Sequence, residues 1–183
     1  MRVGLLGGSF DPVHYGHLRA AQWALQALEL DEVRLVPARQ SPFKGPSLGP
    51  ETDRLTMLNL ATHDNAALVV ETCELEREAP SYTVDTLRAL TRRMKDARFT
   101  LILGSDAARG FEQWRESSEI RHLAEIRVLG RPGDTALDST VPAFNGLSIS
   151  STQIRDSVKA GRSIRYLTPE SVRLYIEEKG LYK

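Results

Sequence analysis

Apolar residues come in short blocks along this chain, each followed by glycine, proline or small polar residues. The first block, Val3 to Leu6, breaks at Gly7-Gly8, turns through Ser9-Phe10-Asp11-Pro12 and leads to His14, Gly16 and His17. Beyond the turn, Leu18, Ala21, Leu25 and Leu28 recur at helical spacing. The pattern predicts a strand over 2–7 and a helix over 16–29. Val33 to Pro37 predicts a second strand, apolar but for Arg34, close to the continuous run of strands buried on both faces.

From Ala38 to Pro50 the chain carries three prolines, two glycines, Arg39 and Lys44. A loop of this length exceeds the usual strand–helix connection, and both plain surface looping and ligand binding suit it. Glu51 to Thr62 predicts a helix along Leu55, Leu58 and Thr62, and Ala67 to Glu71 a third strand. The next helix runs to about Lys95 on the face of Val84, Leu87, Leu90 and Met94, with Ser81 or Thr83 as its cap. Phe99 to Leu103 predicts a strand ending at Gly104-Ser105-Asp106, where Ser105 is placed to cap a short helical segment. Ser118 to Leu123 reads as helix, Ile126 to Leu129 as strand before the Arg131-Pro132-Gly133 turn, and Val141 to Phe144 as a last short strand. A helix over Ser151 to Lys159 starts at Ser150, with Gln153 at capping-box spacing, and stops at Gly161. The final helix takes Thr168 as cap, Pro169 as its first residue and Gly180 as its stop.

Strand and helix alternate without internal repeat or low-complexity tract. The expected fold is α/β, a Rossmann-like open, mostly parallel sheet with helices on both faces, in a single domain over 1–183. Such sheets bind ligands beyond the carboxyl ends of their strands. Segments 7–17, 38–45, 104–106 and 131–133 all follow predicted strands, so they converge on that one edge.

Composition narrows the function classes. The 183 residues carry 24 basic and 24 acidic side chains, a formal net charge of zero. This weakens the case for a nucleic-acid or membrane-surface binder, which carries an excess of Lys and Arg. The single cysteine, Cys73, excludes an intrachain disulfide and fits a reducing compartment; a strand position would give it a small buried apolar role. No apolar run is long enough to span a bilayer, and the N-terminus lacks a signal-peptide pattern. The expectation is a cytoplasmic protein that binds neither nucleic acid nor membrane.

The turn at 7–17 is neither the dinucleotide fingerprint GxGxxG nor the phosphate loop GxxxxGK[ST]. Its glycines still let the chain turn sharply and approach a ligand. His14 and His17 fit a satisfied core pair, or two donors to phosphoryl oxygens whose charge grows during transfer at phosphorus. A metal centre is disfavoured, since two histidines are an incomplete ligand set and His63, His122 and Cys73 fall elsewhere. Histidine's ordinary pKa near neutrality would make ring charge sensitive to bound phosphate. Ser9, His14 and Asp11 invite a hydrolase triad, but the GxSxG elbow is missing and Asp11 suits a local turn-forming role. Direct attack of one substrate on another needs only positioning and charge stabilisation.

Two further clusters stand out. Ser150-Ser151-Thr152-Gln153-Ile154-Arg155 puts hydroxyls and free amide groups at a helix start, with an arginine one turn in. Capping explains the first serine. The remaining hydroxyls, Arg155 and Lys44 suit the outer phosphates of a nucleoside triphosphate. Tyr82 and Trp114 fit either core packing or the two sides of a flat ring. Asp106 fits a first-turn helix acid or an acceptor from a ribose hydroxyl.

These stretches carry a resemblance. Residues 7–17, GGSFDPVHYGH, with 149–155, ISSTQIR, resemble the nucleotidyltransferase superfamily. PSYTVDTL at 80–87, Gly104-Ser105-Asp106 through Trp114, Arg131-Pro132-Gly133 and the stretch from Arg165-Tyr166-Leu167 to Gly180-Leu181-Tyr182 are similar to the bacterial nicotinate-nucleotide adenylyltransferases within it. The resemblance spans essentially the whole chain. It implies that ATP and nicotinate mononucleotide give nicotinate adenine dinucleotide and pyrophosphate, with Mg²⁺ carried by ATP and no protein-held metal.

Carried over position by position, the resemblance makes His14, His17, Lys44 and Arg155 catalytic. It gives ATP contacts at Gly7, Gly8, Ser9, Phe10, His14, His17, Gly104, Asp106, Ser150, Ser151, Thr152 and Arg155. Nicotinate mononucleotide falls to Ser9, Lys44, Ser81, Tyr82, Thr83 and Trp114, its carboxylate held by main-chain amides. One departure is visible: the family commonly carries Pro-Pro-His-Lys where this chain has Ser41-Pro42-Phe43-Lys44, so Phe43 supplies no imidazole. The rivals are a phosphopantetheine adenylyltransferase, a cytidylyltransferase and a non-catalytic nucleotide-binding module.

Overall fold

The computed structural model describes residues 1–42, 45, 47, 49–130 and 144–183. In chain order its elements are β1 (Arg2–Gly8), α1 (Tyr15–Ala27), β2 (Glu32–Pro37), α2 (Glu51–Thr62), β3 (Leu68–Val70), α3 (Thr83–Arg93), β4 (Arg98–Gly104), α4 (Ser105–Arg109), a 3-10 turn (Phe111–Gln113), α5 (Ser117–Leu123), β5 (Ala124–Leu129), α6 (Ser151–Lys159) and α7 (Glu170–Lys179). Among the described residues the strands form one parallel sheet in the order β3-β2-β1-β4-β5. The chain moves outward from β1 through β2 to β3, then crosses back to lay β4 on the other side of β1. Between β1 and β4 the connections part to opposite sides, and that divergence opens a crevice at the carboxyl ends.

Alternation along the strands divides the interior into two cores. Leu6, Val33, Leu35 and Ile102 face a core closed by α1, α2, α6 and α7, including Ala21, Met57, Ile154, Val172 and Ile176. Val3, Leu5, Phe99, Leu101 and Leu103 face the other, closed by α3, the 3-10 turn and α5 through Val84, Leu87, Leu90, Phe111 and Ile120. Helices therefore cover both faces, as expected. A Cβ at Gly4 would come within 2.7 Å of Leu30 Cδ1, so this strand position stays bare for the first core to close. Among the described residues no helix is long and apolar enough to cross a membrane.

Several local expectations are corrected. Helix α3 begins after Tyr82 without a side-chain cap, so neither Ser81 nor Thr83 caps it. Ser105 is the first residue of α4 rather than its cap. The Thr168 hydroxyl donates instead to the Val13 carbonyl at 2.8 Å. Cys73 lies in the turn after β3 rather than in a strand, yet it is buried, and burial pushes its thiol pKa up to about 12. The buried stripe of α2 is Arg54, Met57, Leu58, Ala61 and Thr62, with Arg54 taking the place given to Leu55. Of the last expected strand, Phe144 is not in a strand and 141–143 lie outside the described residues, as do 131–133.

Candidate active site

Parallel register brings Gly8 level with Pro37 and Gly104 level with Leu129, so the turns after these strands open on one edge. A Cβ placed on Gly7 or Gly104 would meet nothing within 4 Å. The two strands flanking the crevice thus both carry bare backbone facing open space, at the last residue of β4 and the last but one of β1.

The turn after β1 is bent by Phe10, which adopts φ +47°, a left-handed conformation that costs a side-chain-bearing residue on the order of 1 kcal/mol. That bend buries the Phe10 ring, so only its main chain can line the crevice. Its ring sits edge-on to His17 with centroids 4.9 Å apart, and it fills the space where a Gly8 Cβ would come to 3.1 Å.

His14 and His17 stack at 3.7 Å. The His14 N–H donates to His17 Nδ1 at 3.3 Å, so in the neutral ring the proton sits on Nε2, which can donate outward. His14 is 5% exposed, and burial pulls its pKa down to about 4. The expectation that its charge would respond near neutral pH is corrected: desolvation keeps this ring uncharged. Its Nδ1 is buried without a partner among the described residues. A Cβ on Gly16 would come 2.8 Å from that atom and 3.4 Å from the Ile149 carbonyl, so glycine lets both approach.

Ile149 leads into α6, and here the two distant clusters meet. Ser151 Oγ donates to Pro12 O at 2.9 Å, and Arg155 Nη1 donates to Asp11 O at 2.7 Å. Arg155 Nη2 reaches the Thr152 hydroxyl at 3.3 Å, while Ser150 accepts from the Gln153 N–H as the helix cap. Histidine rings, hydroxyls, a guanidinium and the α6 amino end therefore share one wall of the crevice. This is a donor-rich surface made for anionic oxygens.

Asp11 does more than form its own turn. Its Oδ1 accepts from the Gly49 N–H at 3.0 Å and from the Tyr182 hydroxyl at 2.7 Å, tying the turn to the 38–50 loop and the C-terminal segment. Arg54, 1% exposed, donates to the carbonyls of Ser9 (2.7 Å), Ala38 (2.9 Å) and Arg39 (3.4 Å). Burial lowers its pKa, opposed by Asp11 and Glu51. Sequence reading missed Arg54, although its place in the 54, 57, 58, 61 stripe marked it as buried.

On the other flank, Asp106 lies in the first turn of α4 and pairs with Arg109. Arg115 lies over the Tyr82 ring at 4.7 Å, and Trp114 leans on Phe111 at 5.5 Å. Ser81 Oγ accepts from the Arg39 N–H at 3.0 Å. Thr83 is the first residue of α3. Lys44 and Phe43 lie outside the described residues. Among those residues no three His, Cys, Asp or Glu side chains are grouped to hold a metal ion.

A cytidylyltransferase-like family model matches residues 5–157. A probable nicotinate-nucleotide adenylyltransferase of Thermus thermophilus is 43% identical over 187 residues, covering all of both chains. One from Geobacillus thermodenitrificans is 43% identical over 188 residues, covering 99% of this chain and 86% of the relative. The chain belongs to the bacterial nicotinate-nucleotide adenylyltransferase family of the nucleotidyltransferase superfamily. Membership makes it an adenylyltransferase. The fold likeness extends further: the Plasmodium falciparum nicotinic acid mononucleotide adenylyltransferase complexed with NaAD superimposes with a TM-score of 0.80 at 20% identity, covering 99% of this chain and 97% of that one.

Proposed function

We propose that the protein joins ATP and nicotinate mononucleotide into nicotinate adenine dinucleotide by direct, in-line attack. An oxygen of the acceptor's 5′-phosphate bonds to the α-phosphorus as the bond from that phosphorus to the bridging oxygen of the β-phosphate breaks. Pyrophosphate leaves with the bond's electron pair. The observation that carries this reading is the junction of the His14–His17 turn with the start of α6, held by Ser151 and Arg155.

In this reading His17 donates from Nε2 to a phosphoryl oxygen, and neutral His14 holds it in place. Arg155, the α6 amides and the Thr152 hydroxyl take the triphosphate, while Ser151 holds the start of α6 against Pro12 O; Lys44 adds a positive charge. The site's donors suit phosphate oxygens rather than a metal, and Asp11 Oδ1 is already engaged twice. Magnesium therefore arrives as part of the Mg–ATP substrate, offsetting phosphate charge. Gly7 and Gly104 let the nucleotide approach the strand ends, Gly8 makes room for the Phe10 ring, and Asp106 exchanges Arg109 for a ribose hydroxyl.

The acceptor lies across Ser81, Tyr82 and Thr83, with Trp114 against its pyridine ring. The main-chain N–H groups of Tyr82 and Thr83 favour a carboxylate and leave an amide's NH₂ without a partner, so the acid is preferred over the amide. Pyrophosphate release from ATP with nicotinate mononucleotide, nicotinamide mononucleotide or phosphopantetheine tests the assignment. Fast release with the first alone is expected; faster release with either of the others overturns it.

A further inference from the structure

Glu74, 8% exposed, lies in the turn between β3 and α3, and nothing in the reaction above uses it. The Thr86 hydroxyl donates to its Oε1 at 2.6 Å, and the Ser81 side chain offsets its charge as well. Each hydroxyl also accepts from an N–H: Thr86 from Arg77 Nη2 at 2.5 Å, Ser81 from the Arg39 main chain at 3.0 Å. A hydroxyl that accepts in this way directs its own proton to the remaining acceptor. The Thr86 proton therefore points at Glu74 Oε1 at 2.6 Å, in preference to Tyr82 O at 3.4 Å. Burial raises the Glu74 pKa, opposed by those two hydroxyls and Arg77.

The same segments are laced together at the main chain. Ser81 N–H donates to Gln40 O at 2.9 Å, and Arg39 Nη1 donates to Arg77 O at 2.9 Å. Helix α3 has no side-chain cap at Tyr82. What orients its first turn is accordingly this brace, which joins the end of β2, the 74–77 turn and residues 80–83.

We propose that Glu74 is a positioning residue for acceptor recognition, holding the backbone of 80–83, through Ser81 and Thr86, in the shape that receives a carboxylate-bearing pyridine nucleotide. The proposal rests on the acceptor reading of Ser81, Tyr82 and Thr83. Removing the carboxyl leaves the Thr86 hydroxyl without its nearer acceptor, and the main chain of 80–83 loses part of its brace.

The test is steady-state kinetics of E74A, E74Q and the wild type with ATP, nicotinate mononucleotide and nicotinamide mononucleotide, alongside thermal unfolding. E74A is expected to raise the KM for nicotinate mononucleotide about tenfold and to narrow the acid-over-amide preference, as losing charge-assisted hydrogen bonds would. Its KM for ATP should stay within about twofold, and E74Q, which keeps one acceptor, should recover part of the loss. Unchanged acceptor kinetics, or a parallel decline toward both substrates, overturns the proposal. Should E74A fail to fold, T86V and E74Q carry the same comparison. A wild type that turns over no nicotinate mononucleotide overturns the acceptor reading and this proposal together. Normal turnover with unaltered variants overturns this proposal alone.

Discussion

Ser151 donates its hydroxyl proton to the carbonyl of Pro12 at 2.9 Å, across 139 positions of sequence. The bond fastens the amino end of α6 to the histidine turn, and the C-terminal segment adds more. Thr168 holds Val13 O at 2.8 Å, and the Tyr15 N–H donates to Leu167 O at 3.1 Å. The histidine turn is thus a junction whose carbonyls are gripped by residues near the other end of the chain. Preorganisation of this kind places donors before the substrate arrives.

Tyr182 is the most testable of these grips. Tyr182→Phe removes one hydroxyl from Asp11 Oδ1 and leaves the ring in its packing. It should cost about 1 kcal/mol of stability, the usual size of a single net hydrogen bond, read by urea unfolding. Because the same oxygen holds Gly49 of the long loop, KM for ATP should rise several-fold while KM for the acceptor stays near wild type. Unaltered ATP kinetics would limit Tyr182 to a packing role.

Arg54 has no route to solvent. Replacing it with Ala takes the donor away from the Ser9, Ala38 and Arg39 carbonyls and empties a buried site. The expected loss is about 3 kcal/mol or more, in the range for breaking buried charged networks, and equilibrium denaturation measures it. A loss below about 1 kcal/mol would contradict the bracing role.

His14 gives stability a pH dependence of known sign. Its folded pKa of about 4 lies below the unfolded value of 6.5, so the unfolded chain binds the extra proton first as pH falls. Its contribution is complete above pH 6.5 and is lost progressively between 6.5 and about 4. Unfolding free energies of wild type and His14→Gln, measured across that window, should converge on the acid side. Parallel profiles would mean that His14 is not buried neutral.

Much of this was legible because local chemistry and global fold agree. Helices α2 and α6 fall on their expected bounds, Glu51–Thr62 and Ser151–Lys159, since Pro50 and Ser150 end what precedes them. The convergence of 7–17 and 104–106 followed from alternating strands and helices alone. What escaped depended on distant partners. Arg54 falls on the buried stripe of α2, but the three carbonyls that satisfy its charge there come from other segments of the chain. Thr168 looked like a cap because its real partner, Val13, lies 155 positions away. The His14 pKa reflects a desolvation that no sequence spacing encodes.

His17 offers the most direct test that phosphate chemistry occurs at this turn. Pyrophosphate release by purified His17→Ala, with folding checked by circular dichroism, should fall by at least about two orders of magnitude, the scale of losing a preorganised donor at a developing charge. Near-normal release from a folded His17→Ala protein would contradict it.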